Sequence, residues 1–461
     1  MPEESYWYFT KPWESVSIRR GDALGFRAAS DYFADLLAPG LSNGTSDARW
    51  ISLLSWCLNW SHVAWKKAGG GDLSRRDEQR ERYAWLRPLE LLWVDRTLKA
   101  GRTTGQLRGR RSIERWRKAA QVPSNFAMSD EQFRRYRQVG TYGAYRVVLR
   151  TIPGLTTGDG WTLADTGLKL ARLVNDSLPS AARLNQQHFE KRAQWGHWSK
   201  GKQVEYWTEH GWAAWDKSAN YGFLPTPDES ISTQLPNEER KLLAPSLFPA
   251  GSIRRITADV LARVHSANSH ADLCEALAQS SEIAEKLKLE NASLAALPAF
   301  SRFADAAMSA MRGLWGEINR DGENQTPSVE KLARAPEIKV GLERLREVAD
   351  TWLRSQGGSA FPHERAVTQL ADAMVGAKTC SEQMRLLSRH HHDNGGGRRW
   401  FREEGGKLVP LLLDTGIAAS DYRFRLRALC LLAAQCGVAE MDAALNAMAQ
   451  EGEDEEEKDY A

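Results

Sequence analysis

Residues 129–178 read SDEQFRRYRQVGTYGAYRVVLRTIPGLTTGDGWTLADTGLKLARLVNDSL. Ser129-Asp130 in front of a charged, apolar-spaced run predicts a capped helix, SDEQFRRYRQVG. TYGAYRVVLRTIPGL predicts a second helix, closed by Pro153-Gly154. GLTTGDGWTLAD then carries a short strand, a tight Gly158-Asp159-Gly160 turn and a further strand or helix cap. A third helix is predicted from about Thr166.

Helix, turn, helix, two-stranded wing and helix in this order resemble a winged-helix domain. The phrase WTLADTGLKLA, residues 161–171, is similar to the wing-to-helix junction of that class. The resemblance covers about 50 residues and implies a module that orients a nucleic-acid duplex.

The sequence before this module is strongly basic. Residues 96–150 hold 14 Lys/Arg against 3 Asp/Glu. Arg108, Arg110, Arg111, Arg115, Arg117 and Lys118 crowd one stretch, and Arg134, Arg135 and Arg137 follow on the first predicted helix around Tyr136. Clusters of this kind neutralise phosphates, and the glycine-spaced arginines of GQLRGRR can follow a nucleic-acid backbone. An acidic protein partner or a solvated face with ion pairs elsewhere in the chain are the alternatives. The end of the chain, EGEDEEEKDYA, is strongly acidic, so the net charge of +3 hides a block asymmetry.

Further outward, helical patterning dominates. GDALGFRAASDYFADLLAPG predicts a helix opening after Asp22 and ending before Pro39-Gly40. A second helix, capped by Thr45, Ser46 or Asp47, is apolar on nearly all sides and should be central. From 257 onward the chain reads as helical. Thr257 or Asp259 starts one helix, and 270–320 give two or three more. Leu342, Leu345, Ala349 and Trp352 form one stripe before a Gly-Gly stop. The expected architecture is mainly α and multi-helical: a Trp-rich helical region at 1–128, the winged-helix-like module at 129–190, an irregular linking region at 191–250, a C-terminal helical domain at 251–450 and an acidic tail at 451–461.

Composition narrows the function classes. At 461 residues, 42% apolar and 26% charged, the chain is globular and long enough for several domains. No apolar run approaches the roughly 20 residues of a membrane span, and the acidic N-terminus lacks a secretory pattern, so a cytoplasmic protein without membrane contact is expected. Five dispersed cysteines without a CxxC pair predict buried thiols. Fifteen of 18 tryptophans precede residue 216. Trp195, Trp198, Trp207, Trp212 and Trp215 surround His197 and His210, which fits a packed aromatic minicore better than a base-stacking platform.

SRHHHDNGGGRRWFR, residues 388–402, is the other conspicuous stretch. Adjacent helical residues diverge by about 100°, so His390, His391 and His392 cannot converge on one ion from a regular helix. A helix C-terminus whose histidines suit the dipole is the better reading. The glycines with Arg398 and Arg399 could contact an anion. A metal-dependent nuclease using His390–Asp393 is kept as an alternative, although no HExxH spacing occurs. Nucleophile elbows, Walker loops, dinucleotide fingerprints and kinase motifs do not occur either. No catalytic residue, metal or cofactor is assigned, and a non-enzymatic role is expected.

One resemblance is to a known group. Leu24, Gly25, Phe33, Ala34, Asp35, Leu37, Pro39 and Gly40, followed by Thr45, Arg49 and Trp56, match the N-terminal signature of a family of uncharacterised bacterial proteins encoded in phage-defence islands. The R-H-H-x-x-x-G-G region near 389–397 is similar too. The match covers about a tenth of the chain and carries no catalytic residues. It implies a role beside other defence proteins such as a helicase, nuclease or ATPase. The expected function is a non-catalytic DNA-binding or scaffold subunit, on duplex rather than single-stranded DNA. A protein-interaction adaptor without DNA binding is the alternative of a different class.

Overall fold

Helical patterning becomes helix almost everywhere that the computed structural model describes: residues 22–67, 140–178, 235–288, 291–319, 326–355, 363–395, 399–411 and 422–449, with residue 183 and scattered positions between 82 and 114. The helices are α1 (Arg27–Leu37), α2 (Arg49–Lys67), α3 (Thr141–Thr151), α4 (Asp165–Ser177), α5 (Asn237–Leu247) and α6 (Ile253–Ala262). They continue as α7 (His270–Gln279), α8 (Ser281–Leu287), α9 (Asn291–Ala295), α10 (Leu297–Asn319), α11 (Val329–Leu332) and α12 (Pro336–Ser355). The last are α13 (Arg365–Gly376), α14 (Cys380–Asn394), α15 (Leu426–Gln435) and α16 (Asp442–Ala449). Strands β1 (Phe401–Glu404) and β2 (Lys407–Pro410) form one antiparallel hairpin. The fold is therefore mainly α. The expected helix over 129–139, the Trp195–Trp215 cluster and the acidic tail lie outside the described residues.

The chain forms two compact units, and neither is continuous in sequence. One takes residues 1–37, 263–424 and 443–461, and the other 38–262 and 425–442.

In the first unit α10 packs along α12 and against α7, and α13 joins α12 to α14. The stripe Leu342, Leu345, Ala349 and Trp352 is buried, as its spacing predicts. Its partner α10 buries Phe300, Phe303, Ala307, Met311 and Leu314, and the Phe300 and Phe303 rings lie 6.2 and 6.5 Å from that of Trp352. Phe26 and Phe33 enter the same core, with ring centroids 6.2 and 5.4 Å from Phe300. Side-chain oxygens cap several of these helices. Ser269 accepts from Asp272 N, Ser280 from Ile283 N, Ser328 from Lys331 N and Thr379 from Glu382 N. These stops and starts divide 270–320 into four helices where the spacing predicts two or three.

The second unit is built round α2, as expected of a helix apolar on nearly all sides. Every residue from Arg49 to Leu58 is buried, and α4 and α3 pack on it. Asp47 is the cap among the three candidates, since its carboxylate accepts from Arg49 N at 2.9 Å. Helix α6 starts at Ile253, earlier than Thr257 or Asp259, because Ser252 Oγ accepts from Arg255 N. Thr257 is a buried residue within that helix.

Candidate functional site

Two of the stretches singled out in the sequence can be built residue by residue. The first is 140–178. Helix α3 begins at Gly140 with Tyr142 N donating to the buried Glu90 carboxylate at 2.9 Å. It ends at Ile152, whose N–H reaches Val148 O. The chain then turns through Gly154 at φ +84° into a tight hairpin. Thr156 and Leu163 form a single antiparallel bridge, flanked by Thr157 N to Thr162 O at 2.9 Å and Ala164 N to Leu155 O at 3.0 Å. The two expected strands thus shrink to one bridge. An Asx turn holds the tip in place of a longer ladder: Asp159 accepts from Trp161 N, Thr162 N and Thr162 Oγ1 at 2.7–2.8 Å. Those hydrogen bonds, with Arg82 nearby, keep the Asp159 carboxyl below its usual range despite partial burial.

The hairpin is fastened to both helices. Thr156 Oγ1 donates to Leu149 O at 2.6 Å, and Tyr142 Oη donates to Gly160 O at 2.9 Å. The Tyr142 and Trp161 rings lie 4.6 Å apart. On the other side, a Cβ at Gly167 in α4 would collide with Leu155 O. Helix, hairpin and helix therefore form one rigid piece.

The basic residues singled out in the sequence have different placements. Arg108 is drawn inward: its Nη2 donates to Asn43 O at 3.3 Å, and burial lowers its pKa. Arg110 pairs with Glu114 at 2.8 Å, with both side chains still about two-fifths exposed. Arg399 donates to His392 Nε2 at 2.8 Å. Arg111, Arg115, Arg117, Arg134, Arg135, Arg137 and Arg398 lie outside the described residues.

The second stretch is the histidine run at the end of α14. His391 Nδ1 donates to Ala23 O at 2.7 Å, and its Nε2 accepts from Trp400 N at 2.9 Å. His390 makes the opposite choice: Nε2 donates to Leu24 O at 2.8 Å, and Nδ1 accepts from Asn394 Nδ2 at 3.2 Å. Each ring is thus neutral and in a fixed tautomer. Burial lowers both pKa values, against the raising effect of the carbonyls they hold. His392 lies between Asp393 Oδ1 at 3.1 Å and Arg399. Every one of these imidazole nitrogens has a protein partner, so none offers an ion a free lone pair. Among the described residues no cluster of His, Cys, Asp and Glu suits a metal. The run is a clasp on residues 22–25. Tyr422 Oη adds a bond to Asp22 at 2.8 Å, and Gly25, at φ +74°, lies against Asn394.

Two further polar groups are buried in the fold, and the pairings that make them are not readable from the sequence. Arg49 forms an ion pair with Glu239, both 2% exposed. Beside it burial raises the Asp47 pKa to about 6, opposed by the Arg49 N–H and charge, and lowers Arg49 to about 10. Tyr145 Oη bonds both the N–H and the carbonyl of Asp47. The other group sets His270 Nδ1 3.0 Å from Ser301 Oγ and 3.8 Å from Cys274 Sγ. It has the residue types of a nucleophilic site, but all three are at most 1% exposed. Burial lowers His270 to about 3 and raises the Cys274 thiol. Without access for a substrate, this is a core contact. Among the described residues no helix is long and apolar enough to cross a membrane. A comparison of the chain with protein-family models, with curated proteins and with solved structures gives no match.

Proposed function

We propose that the chain is a non-catalytic DNA-binding or scaffold subunit of a bacterial antiphage defence complex, working beside a helicase, nuclease or ATPase. The observation that carries this reading is the rigid helix–hairpin–helix piece at 140–178, whose first helix closes a segment, residues 96–150, in which bases outnumber acids 14 to 3. The winged-helix-like character of residues 129–190 is part of this proposal. Bound duplex would lie on that module, with arginines of 108–137 holding phosphates and Arg398 and Arg399 adding a second basic patch.

The test is binding of plain duplex DNA over a series of salt concentrations. Charge reversal at Arg110, Arg111, Arg134 and Arg135 should weaken binding and flatten its salt dependence, by about 0.9 in the log–log slope for each phosphate no longer neutralised. Unchanged affinity and slope would remove the proposal. A second reading is an adaptor that binds another protein and not DNA, since the Arg110–Glu114 pair already takes one charge out of a phosphate-binding face. An adaptor should not shift plain duplex in a gel. The nuclease alternative is not advanced, because the imidazoles it needs are engaged in the clasp.

A further inference from the structure

Within the second unit a half-open hollow of about 190 Å³ lies between α2, Arg82 and the 155–164 hairpin. Among the described residues it is lined by Leu58, Ser61 and His62 of α2, by Arg82 and by Trp161. Its enclosed end has room for about one water-sized atom.

The walls are rich in donors. Trp161 is 7% exposed, and its Nε1–H is buried with no acceptor among the described residues. A donor in that position has lost its hydrogen bond to water and calls for a partner. Arg82 brings a guanidinium on a side chain that is 13% exposed. It lies 4.6 Å over the Trp65 ring, and its Nη1 donates to Thr162 Oγ1 at 3.3 Å. Ser61 directs its hydroxyl proton to Leu58 O at 3.2 Å. None of the described lining residues is acidic. The hairpin's one carboxylate, Asp159, is 3.9 Å from the guanidinium and accepts from Trp161 N, Thr162 N and Thr162 Oγ1. The Tyr142 and Tyr83 rings, 4.6 and 6.4 Å from that of Trp161, hold the indole in place. The donors are thus set before a ligand arrives, and little conformational entropy is lost on binding.

Water suits such walls poorly, because it brings two protons of its own and needs lone pairs to receive them. An anion accepts from every donor at once. The planar guanidinium fork matches two oxygens of an oxyanion better than it matches a spherical ion. We propose that this hollow binds a small free oxyanion of the inorganic phosphate type, with one oxygen at the enclosed end on Trp161 Nε1–H and another on the Arg82 guanidinium. The bound ion ties the hairpin to α2. The inference does not depend on the DNA-binding reading.

The experiment titrates the full chain with inorganic phosphate, read by calorimetry and by the indole N–H resonances. Trp161→Phe keeps a ring against Tyr142, removes the N–H and identifies the Trp161 resonance by its loss. Phosphate should move that resonance saturably and raise the melting temperature by mass action, and sodium chloride at equal ionic strength should do neither. Trp161→Phe should weaken phosphate binding about tenfold, as expected for one hydrogen bond to a charged group. Arg82→Lys, which keeps the charge and loses the fork, should weaken it by a similar factor, about tenfold. Arg172→Gln, on an exposed position of α4, should leave the affinity unchanged. Circular-dichroism melting checks that each variant is folded. A Trp161 resonance that ignores phosphate overturns the proposal, as does equal affinity in Trp161→Phe. The proposal falls too if chloride moves the resonance as far as phosphate does, or if Arg172→Gln weakens binding as much as the pocket variants. Displacement of phosphate by duplex DNA would assign the hollow to a nucleic-acid phosphate and overturn the free-ion proposal.

Discussion

Three neutral histidines, His270, His390 and His391, are each held in one tautomer or buried beyond the reach of water, and each has a lowered pKa. A histidine whose folded pKa is depressed adds stability that is complete above its unfolded value, about 6.5. That stability declines as pH falls below 6.5, because the unfolded chain then binds the proton more readily. For His270 the decline continues to about pH 3. Each such group contributes a slope of at most ~1.4 kcal/mol per pH unit. Urea unfolding measured downward from neutral pH should therefore show midpoints falling steadily once pH is below about 6.5. His391→Ala should cost about 2–4 kcal/mol, since Ala23 O and Trp400 N lose their partner together. A metal chelator should leave the melting temperature unchanged. A drop with chelator would mean that the histidines serve an ion after all. The divergence of adjacent helical side chains was legible in the sequence. Their true partners were not, because those are backbone carbonyls 366 and 368 positions away, and every residue type presents the same carbonyl.

At the scale of elements, glycine decides how closely the pieces of 140–178 approach. Gly167 sits where α4 crosses the base of the hairpin, and the atom a methyl would meet is the Leu155 carbonyl, part of a bonded bridge that cannot swing away. Gly158 at the tip has open space but a φ of +92°. Gly167→Ala should therefore destabilise by about 2–3 kcal/mol through overpacking, and Gly158→Ala by about 1 kcal/mol through backbone strain alone. Thermal denaturation of the two variants checks the order, and equal losses would deny the close crossing. The helix–turn–helix order around these glycines was readable because Pro153-Gly154 and Gly158-Asp159-Gly160 punctuate an otherwise periodic run. Strand length was not readable: the Asp159 turn and the Thr156 and Tyr142 anchors replace the ladder that alternation suggests. The hairpin β1–β2 interrupts what periodicity presents as a wholly helical domain. Its signal is Gly405-Gly406, two glycines at positive φ between FREE and KLVP, the two-residue loop that suits a right-twisted pair.

The N-terminal pattern from Leu24 to Trp56 takes on a structural meaning in the whole molecule. Most of its residues serve the fold. Arg254 donates to Pro39 O, Arg49 pairs with Glu239 and Trp56 Nε1 donates to Asn175, while Leu24, Phe33, Ala34 and Leu37 are buried. Within the first unit Ala23, Leu24 and Gly25 and the end of α14 meet in the clasp, so two separate parts of the sequence are halves of one contact. Periodicity could locate the helices, but it could not show that residues 22–37 return to a core made by 263–424, because long-range pairing of this kind rests on single side chains such as Tyr422 on Asp22. That return has an energetic consequence. Phe26 and Phe33 are both 0% exposed, and burying an aromatic ring contributes roughly 1.5–3 kcal/mol. The clasp adds hydrogen bonds of about 1 kcal/mol each. Together these approach the roughly 5–15 kcal/mol that holds a whole domain folded. Removing residues 1–37 should therefore expose Phe300, Phe303 and Phe424 in the first unit, raise binding of a hydrophobic dye and abolish its cooperative unfolding. Phe33→Ala in the full chain should give a partial form of the same defect, with a loss of about 3–5 kcal/mol. A truncated chain that melts cooperatively at the full-length temperature would show that the N-terminal helix only decorates this unit.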